Sequence, residues 1–242
     1  MKIIKFYTTT LAVLVLALLL ADLPAMAQRN QIQGEGELKS QTRNVSGFKG
    51  IDVSGGFAVE LTQGSQEGVR IEAQENLLNN IKTEVKNGVL HIYNEGSIST
   101  NKGMKAYITV RELNKVDISG GVKVTGKSTF KADAFTLDLS GGSKVTLAIN
   151  TKKLNADLSG ASKVEITGRA DEMVMDLSGA SSVNMSELEA KTARIDASGA
   201  SKVRVFAKDR LDINASGASK VEYKGSPQVS SNVSAAAKIS KM

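Results

Sequence analysis

Five aspartates, Asp117, Asp138, Asp157, Asp176 and Asp196, recur at a nearly constant interval, and Asn214 and Asn232 continue the series. Six positions after each stands a lysine (Lys123, Lys144, Lys163, Lys202, Lys220, Lys238), with Ser182 the one exception. The residues between read Ser-Gly-Ala-Ser in the fullest copy, Asp157 to Val164. Three chemistries are open to such a set. Carboxylates at a short regular rise could bind divalent cations in a ladder, could pair as the acid and base of a glycosidase, or could accept backbone N–H groups of the Ser-Gly corner as Asx turns do. The third reading is favoured, because Asn replaces Asp in the last two copies and can cap a corner equally well. The Gly-Gly-x-Gly-x-Asp nonapeptide of calcium-binding solenoids is missing.

The serines of the corners raise the possibility of a nucleophile, which requires a base within hydrogen-bond reach. The chain has a single histidine, His91, in an alternating strand with Val89 and Tyr93, and no cysteine. A Ser-His hydrolase is therefore not expected, nor are disulfides, thiol catalysis, or zinc and haem sites. Polysaccharide lyases and hydrolases built on β-helices are the enzymatic alternative. They break the coil regularity with long loops and present aromatic rings to sugars; the short, even spacing of the copies leaves no room for such loops, and tryptophan is absent. The Gly120-Gly121 pair is a corner and not a phosphate loop, since no helix follows. No residue is assigned a catalytic, cofactor-binding or metal-ligating role, and no cofactor is expected.

The elements that position these columns follow from the repeat. A period of about 20 residues with β-type composition predicts stacked coils. Around Asp157, the apolar Leu154, Ala156 and Leu158 alternate with polar neighbours, and Val164 and Ile166 do the same after the corner. Period-2 alternation turns one side inward. Directly after the Asp/Asn series stand Ile118, Leu139, Leu158, Leu177, Ala197, Ala215 and Val233; directly after the Lys series stand Val124, Val145, Val164, Val183, Val203, Val221 and Ile239. Stacked ~4.8 Å apart, these form continuous apolar ladders. The fold expected is all-β, a single-stranded-type β-helix over 116–242, preceded by a less regular β region with hairpins over 45–115. The strongest hairpin signal is Asn87-Gly88, and 75–81 reads as one helical turn or a loop. Asp52-Val53-Ser54-Gly55-Gly56 is a further copy of the phrase, standing alone and well before the next at Asp117.

Residues 1–27 read as a Sec-type signal peptide: Lys2 and Lys5, an apolar run from Leu11 to Leu20, and a cleavage site at Ala25-Met26-Ala27. The run is shorter than a membrane span, and no later stretch could cross a bilayer as a helix. Residues 28–44 are polar and expected to be a flexible segment. The net charge of +6 falls to +5 when Lys2, Lys5 and Asp22 leave with the leader. The charges are interspersed, which with export argues against a nucleic-acid partner.

Phe48-Lys49-Gly50-Ile51-Asp52-Val53-Ser54-Gly55-Gly56, the segment Val85 to Ile92 and the later Asp-Leu-Ser-Gly-Ala-Ser-Lys-Val copies resemble the bacterial family of the "putative auto-transporter adhesin, head GIN domain". The resemblance runs from about Phe48 to the C-terminus. Arg111-Glu112-Leu113 stands where the family typically carries a proline. The resemblance implies an exported β-helical protein of Bacteroidetes-like bacteria, and it brings no catalytic residues. The expected function is accordingly that of a non-enzymatic cell-envelope or surface protein, an adhesin or structural binding module. Its place would be the periplasm, the outer-membrane surface or the extracellular space. The expected partner is an envelope or host polysaccharide or another surface ligand, met by a face of repeated Lys, Ser, Thr and Glu. Self-assembly through exposed sheet edges, giving a homo-oligomer or scaffold, is the alternative.

Overall fold

A computed structural model of the chain describes residues 31–234 and 236–242. The proposed signal peptide lies outside the described residues. Eighteen strands and one 3₁₀ turn account for most of what is described. The first nine are β1 (Ile32–Gln33), β2 (Leu38–Arg43), β3 (Gly50–Gly55), β4 (Phe57–Gln63), β5 (Gly68–Gln74), β6 (Ile81–Lys86), β7 (Val89–Asn94), β8 (Ile98–Ser99) and β9 (Met104–Val110). They are followed by β10 (Lys115–Gly120), β11 (Lys123–Gly141), β12 (Lys144–Gly160), β13 (Lys163–Gly179), β14 (Ser182–Ala197), β15 (Lys202–Ala215), β16 (Lys220–Lys224), β17 (Gln228–Val233) and β18 (Lys238–Lys241).

From β10 onward the chain is a parallel β-solenoid of the kind the repeat predicts. Leu158 lies between Leu139 and Leu177, and Val164 between Val145 and Val183. These side chains and those of the neighbouring columns are almost fully buried and fuse into one core. Phe130 and Phe135, both fully buried, stack against Ile149 and Leu154 of the next rung. Burial fails at the last rung, where Val233 is 38% exposed and Ile239 half-buried.

The region before β10 is built on the same stack. β3 pairs in register with β10, setting Asp52 beside Asp117 despite the long interval between them, and β4 pairs with β11. A further rung, β7 and β9, lies on the far side of β3 and β4, again parallel. Chain order and stacking order therefore part here: the chain passes beyond its first coil, makes a rung there, and returns to continue in the opposite direction. Antiparallel strands close this end, β6 against β7 and β5 against β9. The β6–β7 turn is the Asn87-Gly88 hairpin, with φ of 51° and 74°, as a two-residue primed turn requires. Residues 75–77 form the 3₁₀ turn.

The flexible segment expected over 28–44 is corrected over its described part. β1 pairs with β8, and the whole of β2 pairs antiparallel with β5. The stretch is polar because β2 is an outer edge strand: one row of its backbone groups pairs with β5, while the other row and most of its side chains face water.

Candidate functional site

Every regular rung carries the same corner, and its construction explains the columns. In the rung of Asp157, Leu158 and Val164 point inward. Between them Gly160 has φ 105°, a left-handed conformation that turns the wall. The amide of Ala161 donates to the carbonyl of Gly141 one rung below at 2.9 Å, and the amide of Lys163 donates to the Ser143 carbonyl at 2.8 Å. The hydroxyl of Ser162, 2% exposed, donates to the same Gly141 carbonyl at 3.2 Å. Ser143, Ser181, Ser201 and Ser219 repeat this bond to Gly120, Gly160, Gly179 and Gly199. An internal hydroxyl ladder therefore locks five successive corners, from Ser143 to Ser219, each onto the one below.

This removes the capping role expected for the aspartates. The amides of Ala161 and Lys163 are committed to carbonyls of the rung below, that of Ser162 donates to the Ser181 hydroxyl of the next rung at 3.3 Å, and among the described residues no corner amide donates to an aspartate of the column. The aspartates instead stand on the outer face, just ahead of the corner. Their column is longer than the repeat suggests, running His91, Asp52, Asp117, Asp138, Asp157, Asp176, Asp196, Asn214, Asn232 through adjacent parallel strands. Stacked like charges cost about 1 kcal/mol per neighbour even in water, and the chain offsets most of this itself. His91 Nδ1 meets Asp52 at 2.9 Å. Lys115 bridges Asp117 at 3.1 Å and Asp138 at 3.4 Å, and the Asp117 hydrogen bond is the main reason its ammonium is pushed up. Asp196 accepts from the Asn214 amide and from Arg194 at 3.0 Å, and in that order they hold its carboxyl below the usual range.

A second column lies at the return corner. Asp133, Lys152, Asp171, Lys191 and Asp209 alternate in sign from rung to rung. Lys152 pairs with Asp133 at 2.9 Å and Lys191 with Asp171 at 2.7 Å. These bonds push both lysines up, and each also feels the carboxylate one rung further on.

The lysine column is built otherwise. Lys123, Lys144, Lys163, Ser182, Lys202, Lys220 and Lys238 stack in register, all exposed. Lys220 pairs with Glu222 at 2.5 Å. Among the described residues, the other five lysines have no acidic group within ion-pair distance. The column is uniform in sign and open to solvent, and the chain leaves its charge uncompensated.

As to chemistry, the His91 ring contacts Asp52, and no serine is among its hydrogen-bond partners. Among the described residues no three or more His, Asp or Glu side chains come together in a way that could hold a metal ion. A shallow open groove follows the outer face along Asp157, Asp176, Asp196, Ser178 and Ser198. No helix among the described residues is long and apolar enough to cross a membrane.

Two features escaped the sequence reading. The buried serines were hidden by their polarity, although carrying the alternation of Val164 back by one step places Ser162 inward. The sign alternation at the return corner was readable once the rungs are aligned, since Asp133, Lys152, Asp171 and Lys191 recur at the period of the coil itself.

Solved structures share this architecture. A putative adhesin from Bacteroides fragilis superposes with a TM-score of 0.83 at 22% identity, over 87% of this chain and 100% of that one. A putative lipid binding protein from Parabacteroides distasonis gives 0.72 at 19% identity over 88% and 99%. A putative adhesin from Parabacteroides merdae gives 0.63 at 16% over 88% and 99%. At these identities the likeness is one of fold. No curated protein matches the sequence. The family model for "Putative auto-transporter adhesin, head GIN domain" matches residues 47–227, from the strand that founds the stack to the last fully covered rung, and the chain belongs to that family.

Proposed function

We propose that the protein is an exported, non-enzymatic binding module of the bacterial cell envelope or surface, which attaches through its repeated outer columns to an extended surface ligand such as a polysaccharide. The observation that carries this reading is the in-register repetition of one side-chain type over successive rungs. A rigid wall of this kind offers the same weak contact many times at fixed spacing, so that avidity replaces a deep pocket. The family description and the names of two similar structures point the same way. The name of the P. distasonis structure suggests lipid. The interior of the present chain is filled with its own side chains from Phe48 to Val221, so a lipid would have to lie outside the stack. The test is attachment of the fluorescently labelled chain to intact bacterial and host cells and to a glycan array. Saturable retention on cells or glycans is expected. No retention on any of these surfaces, or turnover of an arrayed glycan, overturns the reading.

A second reading, self-assembly, is favoured by β17. Every residue of it is exposed, none is charged, and Val229 and Val233 are 39% and 38% exposed. Uncharged edges of this kind pair readily. Sedimentation over a hundredfold concentration range decides: a constant monomer mass removes it.

A further inference from the structure

We propose that the lysine column is a binding track for a linear acidic glycan, lying along the solenoid axis and meeting one lysine per rung. This deepens the surface-binding reading and rests on it for its biological setting, though not for its chemistry. On this column three successive ammonium groups, Lys123, Lys144 and Lys163, stand without internal partners among the described residues, a longer run than the two unpaired carboxylates Asp157 and Asp176 of the aspartate column. The fold does not demand this. At the return corner the same stack alternates Asp133, Lys152, Asp171 and Lys191 and neutralises itself, and the aspartate column recruits His91, Lys115, Arg194 and Asn214 for most of its members. The uncompensated column has a rung spacing of ~4.8 Å, close to the length of one sugar in a chain. A polymer with a carboxylate on each sugar could therefore meet successive ammonium groups without bending.

The flanking columns suit a glycan. On the corner side, Gly121, Gly142, Ala161, Ala180, Ala200 and Ala218 carry at most a methyl group, so nothing stands between a polymer and the lysines. On the other side stand Thr125, Thr146, Glu165, Asn184, Arg204 and Glu222, side chains that exchange hydrogen bonds with sugar hydroxyls. Of the two acids there, Glu222 is taken up by Arg204 at 2.7 Å and by Lys220. Neither flank holds an aromatic ring, which a single-stranded nucleic acid uses for base stacking. Ser182 divides the track. Lys123, Lys144 and Lys163 form an unbroken run in front of it, and we place the strongest contact there.

The experiment is isothermal calorimetry on the purified chain with galacturonate oligomers of two, four and eight units, at low and at physiological salt. Affinity is expected to rise steeply from two to eight units and to fall with salt. The variant Lys123→Ser/Lys144→Ser/Lys163→Ser uses the residue that the column already holds at position 182, so the wall remains buildable; it is expected to weaken the octamer roughly tenfold or more. Ser182→Lys closes the gap and is expected to tighten binding. Lys152→Ser/Lys191→Ser removes charge from the alternating column and is expected to leave affinity within about twofold, since those ammonium groups already have partners. Absence of binding by the parent chain, equal loss in the Lys152/Lys191 control, or an unchanged triple variant overturns the proposal. So does a single-stranded oligonucleotide that binds as tightly as the glycan octamer. Cell attachment by the parent chain together with unchanged octamer binding in the triple variant leaves the surface-binding reading standing and sinks only the track. Galacturonate binding without cell attachment does the reverse.

Discussion

The corner glycines are constrained both by backbone conformation and by the rung beneath them. Gly160 combines φ 105° with a neighbour so near that a Cβ would stand 2.6 Å from the carbonyl oxygen of Gly141. That oxygen belongs to backbone and already accepts from Ala161 and Ser162, so it cannot move aside cheaply. Gly160→Ala is expected to cost about 2 kcal/mol or more, combining left-handed strain with a main-chain clash, read as a drop in the urea midpoint. A loss of under about 0.5 kcal/mol, the range of an ordinary surface substitution, would mean that the corner is looser than this. Glu222 gives a pH signature at the same scale. Hydrogen bonds from Lys220 and then Arg204 hold its carboxyl down to about 2, against an ordinary glutamate near 4.3. The folded value is the lower one. The contribution is thus present above the unfolded value and is lost as pH falls from about 4.3 toward 2. Glu222→Gln is expected to flatten the acid dependence of unfolding in that window, followed by the fluorescence of the adjacent Tyr223; an unchanged acid limb would place the titration elsewhere.

At the scale of elements, the strands differ in how much they gain from their neighbours. β13 is paired along nearly its whole length on both sides, by β12 and by β14. β17 pairs with β15 on one side and every one of its residues is exposed. Amides of β17 and β18 are therefore expected to exchange hydrogen well before those of β12 to β14; equal protection at both places would contradict the nearest-neighbour picture. The same distinction governs what was legible beforehand. Each strand from β10 to β17 was readable because its phrase recurs, and the register of Asp117 on Asp138, Asp157, Asp176 and Asp196 follows from aligning the copies. The first rung was not, because repetition says that Asp52 belongs to the column but not which copy it touches across so long an interval. Nor was the pairing of β2, whose polar sequence reflects an edge and carries no inward stripe. The aspartate role was misjudged because a lone Asp-x-Ser-Gly does resemble an Asx turn. Only the stack reveals that neighbouring rungs take the corner amides of Ala161, Ser162 and Lys163. The lysine column could be aligned from sequence, but its lack of partners depends on side chains of the same and adjoining rungs, which no local pattern supplies.

The whole molecule is a one-dimensional stack, and that sets how it should respond to losing a piece. Each regular rung touches only the rungs above and below, so stability is close to a sum of rung and interface terms. Deletion of residues 163–181, one whole copy, joins Ser162 to Ser182. It brings the β12 wall against that of β14 in unchanged register, since Lys163 pairs with both Lys144 and Ser182. In the inner column Leu158 then meets Ala197, replacing the Leu158 to Leu177 contact. The shortened chain loses one buried layer and gains no new edge. It is expected to keep its β-type circular dichroism and a single cooperative transition, with a lower melting temperature, and to become shorter along the axis by ~4.8 Å in small-angle scattering. Deletion of 158–167, half a copy, is the contrast. It removes a corner without its return and throws every later column out of register, so loss of the fold is expected. If both deletions unfold, the rungs do not act as interchangeable layers, and the stack depends on the specific order of its side chains. If the whole-copy deletion folds and the half-copy deletion does not, the periodic wall itself is the unit of stability, and the same layer-by-layer logic sets the length of any ligand track on its surface.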